Sequence, residues 1–114
     1  MKYALLIYEP EDAYGAADSA AMQAIIAEHN AFVGTLGDRF LWGAGLVGAE
    51  AATTVRSGDG ARTVHDGPFA EAREQLGGLY VIDVADLDEA IGWARQLPLA
   101  PGGSVEVRPL LPGG

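Results

Sequence analysis

Two apolar runs, Tyr3-Ala4-Leu5-Leu6-Ile7-Tyr8 and Leu79-Tyr80-Val81-Ile82, each lead into a segment of helical periodicity and then into a further strand-like run. The order β-α-β therefore occurs twice, and a chain of 114 residues has to fold both units around a single core. The first strand is expected at Lys2 to Tyr8, apolar enough to be central rather than at an edge. A helix capped by Asp18 or Ser19 follows and runs to about Leu36, with an apolar stripe of Met22, Ile25, Ile26, Phe32, Val33 and Leu36. Gly37-Asp38 ends it. A short strand comes next at Phe40 to Trp42, and Gly43-Ala44-Gly45 lets the chain bend or lets another group approach closely.

The second unit repeats the logic. Leu79 to Val84 is a strand, Asp86 and Glu89 are spaced as a capping box, and the helix they open is expected to end at Leu97-Pro98. Its inward stripe is Leu87, Ala90, Ile91, Ala94 and Leu97, and a last strand covers Ser104 to Leu110. Between the units, Thr53 to Arg56 and Ala61 to His65 flank Ser57-Gly58-Asp59-Gly60, a strong hairpin signal. The expected architecture is an α+β ferredoxin-like sandwich: an antiparallel sheet, two helices on one face and an inserted β-hairpin, all in a single domain over residues 1–114. Tyr3, Leu5, Ile7, Tyr80, Ile82, Val105 and Val107 are read as apolar on both alternations of the sheet, more than one buried side takes up. A homodimer packed sheet to sheet would cover the surplus.

Composition limits the partners. Sixteen acidic against seven basic residues give a net charge of -9, which repels a phosphate backbone, so no nucleic-acid binding is expected. There is no cysteine, which excludes thiol catalysis and a disulfide framework and fits a cytoplasmic protein. The opening residues lack the longer apolar core and cleavage site of a signal peptide, and no run reaches membrane-spanning length. Two histidines 36 positions apart form no recognisable metal motif, and neither a metal nor a cofactor is expected.

The chemistry concentrates around Asp66-Gly67-Pro68-Phe69. Gly67 is free in φ, Pro68 is fixed, and Asp66 can cap the turn by accepting from N–H groups ahead of it. His65, Asp66, Glu71, Arg73 and Glu74 fall within ten residues. Glu71 and Glu74 share a face if the stretch makes one helical turn, with Arg73 on another face; the three are either a solvated charged rim or substrate-binding residues. His65 is expected to face solvent or a dimer contact. His29 interrupts the apolar seam of positions 22, 26, 33 and 36. It is either a histidine at the edge of the core, satisfied by a carbonyl or carboxylate, or a general base tuned by burial with Asp66 as its carboxylate partner. The tyrosines and tryptophans read as core or interface.

Taken together, Met1 to Tyr8, Ala52 to Arg56, Asp66 to Glu71, Glu74 to Gly78 and Gly103 to Leu110 resemble the DGPF-domain proteins of the YCII-related family, in the dimeric α+β barrel group. The resemblance spans nearly the whole chain. It departs at Val64-His65 before the turn and at Arg73, where lysine is usual. It implies a ferredoxin-like subunit that dimerises through its sheet, with a cleft beside the turn and His29 and Asp66 as a catalytic pair. Two functions follow as expectations. One is a small enzyme, of lyase or isomerase type, moving a proton on a small organic molecule. The other is a non-catalytic dimer that binds a small ligand or a transcription partner, since family members are often encoded beside sigma factors.

Overall fold

The computed structural model describes residues 1–10, 12–13 and 19–114. Its strands are β1 (Lys2–Pro10), β2 (Phe40–Gly45), β3 (Thr53–Ser57), β4 (Arg62–Asp66), β5 (Glu74–Asp83) and β6 (Ser104–Pro109), with helices α1 (Ser19–Leu36) and α2 (Leu87–Ala94). Four strands form one antiparallel sheet in the order β2-β5-β1-β6, and β3 and β4 form a separate two-stranded sheet. This is the ferredoxin-like α+β fold expected from the double β-α-β order.

The helices cover one face. Tyr3, Leu5 and Ile7 of β1, Tyr80 and Ile82 of β5 and Val84 just beyond it pack under Phe32 and Leu36 of α1, Ala90 of α2 and Leu97. Residues opposite each other in a ladder share a face, and the register pairs Tyr3 with Ile82, Leu5 with Tyr80 and Val107, and Ile7 with Val105. All seven residues read above as lying on both alternations are therefore on the helix side, which corrects that expectation. The other face is apolar through different residues. Ala4, Leu6, Tyr8, Leu79 and Val81 are half-buried there, and Trp42 opposite Val81 is 55% exposed. The molecule is only 20 Å along its shortest axis, so one sheet and one helical layer make up its thickness.

The helix ends differ in detail from the sequence expectation. Of the two expected caps of α1, Asp18 lies outside the described residues and Ser19 is the first residue of the helix. Its stripe packs only in the C-terminal half: Phe32 and Leu36 are buried, while Met22 and Ile26 are exposed. Helix α2 stops at Ala94 rather than Leu97, because its last N–H groups bond three residues back, Gln96 to Trp93 and Leu97 to Ala94. Asp86 does cap it, accepting from the Glu89 N–H at 2.9 Å. Glu89 then reaches back to the Ala85 N–H at 3.0 Å, one residue earlier than a capping box requires. No helix among the described residues is long and apolar enough to cross a membrane.

Candidate functional site

His29 sits on α1 one turn before buried Phe32, so the helix brings it to the rim of the core, half-buried. Its Nδ1 lies 2.7 Å from the Tyr80 hydroxyl, with the two rings stacked at 6.0 Å. Tyr80 is fixed by the core: Phe32 lies 5.4 Å from its ring centre and Phe40 6.2 Å. Gly43 stands opposite Tyr80 in the β2–β5 ladder, where a Cβ would fall 2.5 Å from the tyrosine Cδ1. The close approach that the glycine-rich segment permits is thus that of the Tyr80 ring.

Burial lowers the His29 pKa, against the raising influence of Glu9 and then Glu28. Burial raises the Tyr80 pKa, so the phenol keeps its proton at neutral pH. A neutral imidazole therefore faces a neutral phenol. His29 lines a cavity of about 230 Å³ together with Ala13, Ile25, Glu28 and residues 98–101. The wall at 98–101 is held by Glu9, whose Oε2 accepts the Ala100 N–H at 2.8 Å across two distant parts of the chain. One face of the cavity is apolar and the other carries an imidazole and a carboxylate, a set suited to holding a small molecule and moving a proton.

Within one copy of the chain, Asp66 is not the partner of His29. The hydrogen bond goes to Tyr80, the carboxylates acting on the ring are Glu9 and Glu28, and Asp66 is exposed on β4 opposite Thr53. The turn is also held differently from the expectation of an Asp66 cap. The Gly67 N–H donates to Ala52 at 2.7 Å, the Thr54 hydroxyl donates to the Gly67 carbonyl at 2.7 Å, and Arg56 donates to the Phe69 carbonyl. His65 is exposed on β4.

Glu71 and Arg73 line a second, larger cleft of about 460 Å³ with Pro10, Asp12 and Ala72. Glu74 does not share a helical face with Glu71, because it opens β5 opposite Pro10 and the residues before it are irregular. Gln75 holds that irregular stretch through its Nε2, which donates to the carbonyls of Ala70 and Ala72. The site residue missed by sequence reasoning is Tyr80. Its position in an apolar strand made it read as core, and the one pointer to it was the neighbouring glycine segment.

These features define a ferredoxin-like α+β subunit in which a histidine, held by a core tyrosine, lines a small cavity. The chain belongs to the YCII-related family, whose domain model matches residues 1–112. It is similar to an uncharacterised protein of Rhizobium meliloti (strain 1021), 44% identical over 118 residues, a match that takes in 96% of this chain and 92% of that protein.

Proposed function

We propose that this YCII-related protein is a small cytoplasmic homodimeric enzyme that moves a proton on a small organic molecule, in a reaction of lyase or isomerase type. The observation that carries the reading is the 2.7 Å contact between His29 Nδ1 and the Tyr80 hydroxyl at the edge of a cavity. With its proton on Nδ1, the imidazole donates to the tyrosine oxygen and keeps a lone pair on Nε2. Nε2 takes a proton from the substrate, and the resulting imidazolium is steadied by Tyr80, Glu9 and Glu28 until it returns the proton at another atom. The lowered pKa favours this, since a base has to be unprotonated at working pH. Glu28 on the wall favours neutral or cationic substrates over anions. The absence of cysteine suits a reducing compartment. The homodimer is supported by the half-buried apolar side chains on the sheet face away from the helices.

The test is an NMR titration of His29 combined with a screen of small carbonyl and hydroxy compounds for shifts of its resonances. We expect a pKa below 6.5 and at least one compound that perturbs His29 in the wild type and not in Ile25→Trp, which fills the cavity. An ordinary pKa and no perturbing compound would overturn the enzyme reading and leave a binding module.

A further inference from the structure

The hairpin β3–β4 shares no strand with the main sheet and contributes nothing to the core cluster among the described residues. A two-stranded hairpin alone is marginal in water. This one is nevertheless fastened to the turn that follows it, through Ala52, Thr54 and Arg56. The fastening holds Phe69 out, 74% exposed. On one hairpin face Val55 and Val64 stand directly opposite each other, 56% and 67% exposed. The link from β2 to this arm adds Val47, 80% exposed. Scattered surface valines need no explanation, but a directly facing pair makes an apolar spot on one hairpin face, while Thr54 and Arg56 bind the turn carrying Phe69 on the other.

Charge indicates what covers it. Between positions 52 and 73, Arg56, Arg62 and Arg73 balance Asp59, Asp66 and Glu71. On the open sheet face, Lys2 and Arg108 stand against Asp83, Glu106 and Glu74, a net of -1, and the Arg108–Glu106 pair is 2.9 Å apart. A net charge of -8 out of -9 therefore resides on the remainder of the chain. Two copies meeting through their helical sides would press like charges together. Meeting through the arm and the open sheet face avoids that cost.

We propose that the β3–β4 arm packs against a second copy of the chain, with the facing pair Val55 and Val64 as its apolar anchors. The proposal rests on the homodimer inferred above and adds the arm to its interface. Because the chain has no cysteine, Val64→Cys takes a single environment-sensitive fluorophore. Sedimentation and dye emission are then followed together from nanomolar to micromolar protein. The expected result is a blue shift in step with dimer formation, and a dimer Kd at least about tenfold higher in Val64→Asp. A label that remains in water within the dimer, or an unchanged Kd in Val64→Asp, overturns the arm. Val81→Asp on the open sheet face separates the two ideas: if it alone abolishes the dimer, the sheet interface stands and the arm falls. A wild type that stays monomeric throughout overturns both.

Discussion

His29 and Tyr80 join the helical layer to the sheet through a single 2.7 Å hydrogen bond at the margin of the core. One partner comes from a helix face and the other from a central strand. The bond therefore exists only when α1 and β5 are docked, and it reports on both the fold and the site.

Removing the hydroxyl while keeping the ring isolates that bond. Tyr80→Phe should cost about 1–2 kcal/mol in chemical denaturation, the effect of one lost hydrogen bond plus a partly buried imidazole nitrogen left without a partner. On the proposed mechanism it also lowers kcat by about 100-fold, with a smaller change in KM.

Gly43 tests the support beneath the ring. In Gly43→Ala the new methyl would stand 2.5 Å from Tyr80 Cδ1 and 3.1 Å from the Leu79 carbonyl, so the ring has to move. A loss of roughly 1–3 kcal/mol is expected from such overpacking. The His29 ring resonances should shift as well, although residue 43 does not touch His29.

The lowered His29 pKa makes a signed prediction about acid. Between the folded-state pKa and the ordinary 6.5, the unfolded chain holds a proton that the folded chain lacks. Stability therefore falls as pH drops below about 6.5, and the fall ends once folded His29 is itself protonated. His29→Gln should flatten that part of a Tm-against-pH curve between neutrality and about pH 5, where few carboxylates titrate.

Glu89 acts in the same direction at lower pH. Its carboxylate is held below its ordinary 4.5 first by the Ala85 N–H, then by the Trp93 indole and by Arg39. Its contribution is complete above 4.5 and is lost as pH falls through the folded-state value. Glu89→Gln should lower Tm by a few degrees at neutral pH, and the gap to wild type should close in acid.

Gly67 has φ of 114°, and a Cβ there would meet nothing nearer than the His65 Nε2 at 4.0 Å. The cost of Gly67→Val is therefore backbone strain rather than collision, roughly 1–3 kcal/mol by thermal or chemical melting. An equal loss in Gly67→Ala would confirm that the side chain's size is not the cause.

The fold was readable because period and punctuation agreed. Apolar strands, a one-sided helix and the Ser57-Gly58-Asp59-Gly60 turn all specified the same order of elements. Which face each strand residue occupies was not readable, since a single register step reverses it, and the seven residues assigned to two faces share one. At the site, His29 was visible as a polar break in an apolar seam. Tyr80 was not, because a phenol ring in a central strand looks like core until its hydroxyl has a partner. Glu71 and Glu74 were misjudged in their relative placement because β5 begins five residues earlier than its apolar run.

Because β3 and β4 pair only with each other, the arm can open while the four-stranded sheet stays closed. Its amides should exchange with solvent at a low free energy, and those of β1 and β5 only on global unfolding. If a second copy grips the arm, this local opening becomes concentration-dependent, and the hairpin amides report assembly through their own protection factors.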